Sequence, residues 1–436
     1  VAELLVLFED ETAGRFVPLS YTRPLYDMRC GVFTLRERAA LLCGSAPAGI
    51  CRGHLAAVHG AGRWPLELLA RGTPLTLVNG RALDLAWLPA LRAAAPNTVF
   101  VTDAGGAEVM LGARLMPGLA SAIFAALLEQ QGAAALLELR RFARVVTVTT
   151  AVLTNPWDLI VANGAQIVRD VALWRDHGLW PSAAEQRPPH DGVVLHAAER
   201  IFIHPAARLD GPLVLDARDG PIVIDAAHIE PFSVIHGPCA IGPGTIVASA
   251  RVRGETTLGP VCRIGGEVEA SIVQGYSNKH HDGFLGHAYL GEWVNIGAMT
   301  TNSDLKNTYG TIRVALGGAG QVDSGVLKLG CFLADHVKLG IGVHLNGGAM
   351  IGTGSNIFGV HFAPKTIPPF TWGGEVFREY RIDAMVDVTR RVMARRRQAL
   401  TEPLEAILRD VFVMTRGDRA RLAADTRPIA ALESGG

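Results

Sequence analysis

The sequence predicts an α/β domain, then a left-handed parallel β-helix of hexapeptide repeats, then a helical C-terminal segment. Three observations predict this order. Short apolar runs alternate with helical patterns through residues 1–180, a six-residue period fills much of 196–375, and helical spacing returns over 376–436. Between the first two regions, the proline-rich polar stretch PSAAEQRPPHDG reads as a linker within 181–195.

In the first region, LLVLF (4–8) has the length of a strand. Phe33, Leu35, Ala39 and Leu42 give a helix ended near Gly44. TLVNG (76–80) and TVFVTD (98–103) read as strands, 121–142 as helical, and VVTVTTAVL (145–153) as a further strand. Strand–helix alternation of this kind builds an α/β sheet.

The period then changes to six. Val223, Ile229, Ile235 and Ile241 keep it, as do Ile246, Val252, Leu258 and Ile264 after one step of five. Leu327, Leu333, Leu339, Leu345, Ile351 and Ile357 continue it. Neither a helix nor a flat strand generates this pattern, whereas triangular coils with one inward aliphatic per face do. Residues 275–313 depart from it, and an excursion on a regular coil is where function concentrates. At the C-terminus, Ile382, Met385, Val386 and Val392 recur at helical spacing. Thr401 then caps a helix carrying Leu404, Ile407, Leu408 and Val411. The basic run 390–397 reads as a solvated face, with phosphate or cofactor binding as the alternative.

Composition excludes several classes. The 436 residues fit two or three domains at ~150 residues each. Lysine plus arginine and aspartate plus glutamate both number 41, so there is no basic excess to neutralise nucleic acid. Apolar residues at 49% exclude disorder as the dominant state. No run of ~18 apolar residues exists to span a membrane. The opening VAELLVLFED is acidic where a signal peptide is basic, which points to a cytoplasmic protein. Six scattered cysteines without a CxxC pair read as buried reduced thiols.

GYSNKHHDGFLGHAYLGEWVNIGAMTTNSDLKNTYG (275–310) resembles the acetyltransferase half of the bifunctional UDP-N-acetylglucosamine pyrophosphorylase/glucosamine-1-phosphate acetyltransferase family. PWDLIVAN (156–163) is similar to a stretch just before the β-helix of sugar-1-phosphate nucleotidyltransferases. FVPLSYTRPLYDMRCG (16–31) looks like the nucleotide loop of an alternative bacterial branch with a shortened nucleotidyltransferase domain. The resemblance implies a divergent, Rossmann-like nucleotidyltransferase domain over 1–180 and an acyltransferase β-helix over 196–375. It also implies acetyl-CoA as co-substrate, a sugar phosphate and a nucleoside triphosphate as small-molecule partners, Mg2+ for nucleotidyl transfer, and a homotrimer. The rival expectations are a nucleotidyltransferase whose β-helix only trimerises, and a non-catalytic assembly protein.

Acetyl transfer to an amine needs a base and donors for an oxyanion. Counting back from VNIGA with the family's spacing lands on His281 as the base, with His280 and His287 as the alternatives. The resemblance gives Ala298 as the oxyanion donor and Asn302 as a cleft residue. It assigns Arg253 to the sugar phosphate, with Lys279, His287 and Lys306 completing the substrate side. Glu269 stands where the family carries a phosphate-binding lysine, a departure in the acceptor site. Zinc on His280, His281, Asp282 and His287 is disfavoured, since adjacent strand residues point to opposite faces.

An ordinary nucleotidyltransferase loop has more glycines, and here only Gly14-Arg15 and Thr22-Arg23-Pro24 keep its character. Arg15 and Arg23 are therefore the candidate phosphate clamps. Asn79 and Arg81 stand at the usual magnesium position, and Asp170 is the candidate metal ligand, or else a capping or surface aspartate.

Overall fold

The structure, a computed structural model, describes residues 4–60, 74–185, 192–317, 320–359 and 362–425. The chain forms two compact units, Val1–Leu159 and Ile160–Gly436.

The first unit is built on a six-stranded mixed sheet of order β2-β1-β3-β5-β4-β6. These strands are β1 Leu4–Phe8, β2 Ala48–Ile50, β3 Leu75–Asn79, β4 Thr98–Asp103, β5 Glu108–Leu115 and β6 Arg144–Thr147. β1 is parallel to both β2 and β3. The helix Leu35–Cys43 follows from its capping box, Thr34 with Glu37, and ends at left-handed Gly44 as the spacing predicts. The expected helix over 121–142 is two, Pro117–Leu128 and Gly132–Leu139, broken where Gln130 takes a positive φ. The expected strand 145–153 is ordered as β6 only to Thr147.

β5 was not legible in advance. It pairs antiparallel with both β3 and β4. Gly112 interrupts its apolar pattern because a Cβ there would lie 2.5 Å from the Leu77 carbonyl.

PWDLIVAN is the start of a 21-residue helix, Pro156–Asp176. Within the second unit, Asn163 on this helix is fully buried. Its amide donates to the Glu255 carbonyl at 2.8 Å and its oxygen accepts from the Thr257 hydroxyl at 3.2 Å. That amide docks the helix on a coil.

The rest of the second unit is the expected left-handed parallel β-helix. A nine-stranded ladder runs from Ile201–Ile203 to Thr366–Ile367, every pair parallel. Ile224, Ile229, Ile235, Ile241, Val247, Val252, Leu258 and Ile264 fill the interior of the early coils. The register differs by a residue or two at three expected positions. Ile222 and Ile224, not Val223, join the interior cluster; Val247 replaces half-buried Ile246; and Leu327 is 52% exposed while Leu329 is buried.

The expected interruption over 275–313 is also displaced. The coil continues through Asn278–Lys279, Phe284–Gly286, Tyr289–Glu292, Asn295–Ile296 and Thr301–Asn302. Only then does the chain leave it, forming the hairpin Arg313–Leu316 with Gly320–Asp323 and rejoining at Phe332–Leu333. The apparent break arises because Lys279 pairs in register with Ile264, where an aliphatic is expected. Buried Asn302 pairs likewise with Leu345.

Three C-terminal helices follow, Ile382–Ala394, Glu402–Met414 and Arg416–Asp425, and the first two bury Met385, Val386, Met393, Ile407, Leu408 and Val411, close to the expected stripes. All six cysteines are unbridged thiols, five of them buried and Cys43 half-buried. Among the described residues, no helix is long and apolar enough to cross a membrane.

Candidate active site

Three corners turn each coil, and several corner residues take positive φ, among them His287, Trp293 and Met299. At the His287 corner the backbone is fixed from both neighbouring coils. His287 N–H donates to the Glu269 carbonyl at 2.9 Å, and its own carbonyl accepts from Gly330 N–H at 2.9 Å. The imidazole is mostly buried, and its Nδ1 lies 2.8 Å from Asp304 Oδ2. Burial alone would raise the Asp304 carboxyl; the hydrogen bond and charge of His287, with Lys328 beyond, outweigh it and hold the carboxyl below its usual value. A carboxylate on Nδ1 orients the ring and leaves Nε2 to accept a proton.

Asn302 holds this corner from inside. Its Oδ1 accepts from Gly286 N–H and its Nδ2 donates to the Gly286 carbonyl, both at 2.9 Å. The amide is only 4% exposed, so it clamps the strand that delivers His287. Arg253, Glu267, Glu269 and Lys328 line the same face. Arg253 Nε is 2.6 Å from Glu267 Oε1, and Lys328 Nζ is 3.3 Å from Glu269 Oε1. Glu267 and Glu269 pair in register with Phe284 and Gly286, which places them on the strand beneath the approach to His287.

His281 is exposed, with its ring 5.1 Å from His280 in a T-shaped contact and, among the described residues, no carboxylate bonded to it. It stands with Ala298 at the Met299 corner, where Met299 N–H donates to the Asp282 carbonyl and Ala298 accepts from Gly342. The structure thus groups His281 with Ala298, and His287 with Asp304 and Asn302. Lys279 points inward, and its ammonium donates to the carbonyls of Gly265 and His281. Lys306, on the excursion, donates to the Thr311 carbonyl. Sequence reasoning missed Asp304; its only signal was an aspartate close to Asn302 in the same polar stretch.

In the first unit, buried charges knit the loop after β1. Arg52 bridges Glu9, and Arg81 lies 3.3 Å from Asp10. Asn79 donates to Asp10 and to the Met110 carbonyl and accepts from Arg81 N–H. Asn79 and Arg81 are therefore interior struts. Arg23 is buried, and its carbonyl accepts from Arg52. Arg15 is exposed and donates to Thr154 and Asn155. A cavity of about 560 Å³ opens beside Asp10, Glu11, Gly14, Arg52 and Glu129. Asp170 lies on the long helix, 1% exposed, accepting from Gln166. Among the described residues no three His, Cys, Asp or Glu converge to hold a metal.

Residues 5–177 match the sugar nucleotidyl transferase family. The chain is also similar to bifunctional GlmU proteins: 33% identical over 164 residues to that of Acidithiobacillus ferrooxidans, covering 36% of this chain and 30% of that protein. A bifunctional sugar-1-phosphate nucleotidylyltransferase/acetyltransferase of Sulfurisphaera tokodaii is 33% identical over 92 residues, or 21% of this chain and 23% of that protein. The chain spans less than a third of the length of these relatives. Among solved structures, a mutant of AntD, an N-acyltransferase from Bacillus cereus, matches 45% of this chain and 88% of that chain. Its identity is 12% and its TM-score 0.19, too low to carry an argument.

Proposed function

We propose that this chain is a GlmU-like transferase whose β-helix moves an acetyl group from acetyl-CoA to an amino-sugar phosphate of the glucosamine-1-phosphate kind. The observation that carries this reading is the His287–Asp304 pair at a coil corner. The similarity to bifunctional GlmU and to a bifunctional sugar-1-phosphate nucleotidylyltransferase/acetyltransferase supports the chemistry. The acceptor's amine nitrogen attacks the thioester carbonyl carbon while His287 Nε2 takes the amine proton. The C–S bond then breaks, and the imidazolium returns that proton to the departing thiolate. Asp304 balances the charge on the ring. Asn302 acts as a positioning residue through Gly286, and Arg253 with Lys328 faces the acceptor's phosphate.

A second reading keeps His281 as the base, and its support is that His281 shares a corner with the oxyanion candidate Ala298. A homotrimer reconciles the two groups, since one chain's His287 corner would meet a neighbour's Met299 corner. Exposed Met299, Ile341 and Phe358 at that corner support such a contact.

The first unit would add a nucleotidyl group to the acetylated sugar-1-phosphate, yielding a UDP-N-acetylglucosamine-type product. Arg15 and Arg23 are its phosphate-facing candidates. Mg2+, if used, would be carried largely by the nucleotide's own phosphates. Six free thiols fit a reducing compartment, the cytoplasm.

The test is a coupled assay with acetyl-CoA and glucosamine-1-phosphate. His287→Ala should lower acetyl transfer by roughly 10²–10⁴-fold, the range for losing a general base, while His281→Ala stays near wild type. The reverse pattern returns the base to His281.

A further inference from the structure

One cavity of the second unit takes no part in this chemistry. It holds about 320 Å³ between the coil and the C-terminal helix Ile382–Ala394, near the lower end of the ~300–1,000 Å³ range for small-molecule sites. A whole strand, Tyr289–Glu292, separates its Trp293 corner from the His287 corner.

Its walls have two characters. On the coil side, Tyr276 and Trp293 come from the same corner of successive coils and stack at 4.4 Å with planes 16° apart. Beside them Asn278 Nδ2 donates to Asn295 Oδ1 at 3.0 Å, so an amide row runs along the floor. On the helix side stand Val388 and Val392, then Arg395 and Arg396 at the helix end, facing Lys338 on the coil. This is the basic run that the sequence singled out and that acetyl transfer leaves unused.

Those three cations have no carboxylate within ion-pair distance among the described residues. Elsewhere in the unit, Arg218, Arg253, Arg390, Arg409 and Arg419 all have one. The neighbouring carboxylates Glu292 and Asp335 are not part of the lining. Arg263 adds a fourth positive charge close to Arg396. Lys338 donates to the Trp293 carbonyl, and burial pushes its ammonium down to about 7, with Asp335 opposing only in part. Arg396 and Lys338 are half-buried and Arg395 stands exposed at the rim, so an anion entering the groove meets donors able to form charge-assisted hydrogen bonds.

We propose that this groove is a nucleotide-binding site, with phosphates held by Arg395, Arg396 and Lys338 and the planar base lying along the Tyr276–Trp293 wall beside the Asn278–Asn295 amides. Aromatic and arginine surfaces together select a ring joined to a phosphate over a simple inorganic anion. A free nucleotide and the nucleotide end of coenzyme A share that chemistry.

Calorimetric titration of the full chain with ADP, and separately with CoA, distinguishes the two sources when wild type is compared with the double variant Arg395→Ala/Arg396→Ala. Both arginines lie at a helix end, so the variant should fold normally. A loss of roughly tenfold or more for ADP alone assigns the groove to a free nucleotide. A loss for CoA, with or without ADP, assigns it to the nucleotide end of the acyl carrier. Unchanged affinity for both overturns the proposal. Because the first unit is itself proposed to take a nucleotide, photolabelling with 2-azido-ADP gives an independent readout. Labelled peptides covering 276–295 or 388–396 support the site, and labelling confined to residues 4–159 overturns it. Neither readout depends on His287, so failure here leaves the acetyl-transfer reading standing.

Discussion

Asp304 Oδ2 lies 2.8 Å from His287 Nδ1 although the two residues are 17 positions apart in sequence. The coil creates this pairing, because one turn of chain returns to nearly the same corner one layer on. Asp304→Asn should keep the shape while removing the negative charge and the tautomer preference. Acetyl transfer should fall by roughly 10²-fold or more, with KM for the acceptor little changed. Steady-state kinetics on wild type, Asp304→Asn and His281→Ala decide the matter. An Asp304→Asn variant at full kcat would remove the dyad from the mechanism.

Legibility in the sequence followed how local each signal was. The strand TVFVTD and the capped helix ending at Gly44 needed only neighbours along the chain, and both were readable. The six-residue period was readable as an architecture, yet its phase slipped at Val223 and Ile246, where two or three apolar residues are adjacent and only burial selects one. Lys279 and Asn302 look like an interruption of the repeat because the coil places polar groups in two inward slots. Their partners are backbone carbonyls and amides, which a sequence pattern does not display. The pairing of His287 with Asp304 was hidden for a related reason. Its carboxylate comes from the next coil, and nothing near the histidines in sequence announces it.

Arg81 and Asp10 form a buried ion pair, with side chains 7% and 3% exposed. Arg81→Ala leaves that carboxylate inside with Asn79 as its remaining side-chain donor. Breaking such a pair from one side costs about 3–5 kcal/mol. Denaturant unfolding of Arg81→Ala should show this loss, and nucleotidyl transfer would fall with it for structural reasons. Arg15 is exposed, so Arg15→Ala should change stability by less than about 0.5 kcal/mol. Pyrophosphate release in Arg15→Ala therefore reports on chemistry, and activity equal to wild type would exclude Arg15 as a phosphate clamp.

Lys279 provides a pH signature of the coil interior. It is 2% exposed, and burial pushes its ammonium down from 10.5 to about 8, against the small opposing pull of Asp282. Between those values the unfolded chain holds the proton more often than the folded one, so stability rises with pH across that window. Below about pH 8 both states carry the charge and the contribution is flat. The stability of wild type relative to Lys279→Met should thus climb by up to about 3 kcal/mol between pH 8 and 10.5. A difference that stays constant across this range would mean that the ammonium is solvated.

The Met299 corner carries the assembly prediction. Met299, Ile341 and Phe358 are 61%, 79% and 38% exposed, and they lie at one corner of successive coils, offset by a residue or two in register. The Gly342 N–H to Ala298 bond joins the first two layers, and Gly340 packs under Phe358 to join the third. An apolar cluster along one corner differs from scattered exposed side chains, because a single partner surface can cover it. Closed cyclic symmetry would bury three such clusters at once. Light scattering should give three times the chain mass for wild type. Ile341→Glu places a charge at the middle of the cluster and should shift the mass to that of one chain while leaving the coil's circular dichroism unchanged. If acetyl transfer is shared between the His287 corner of one chain and the Ala298 corner of the next, activity should fall in parallel with the trimer. A fully active single chain would place the whole site within one coil stack.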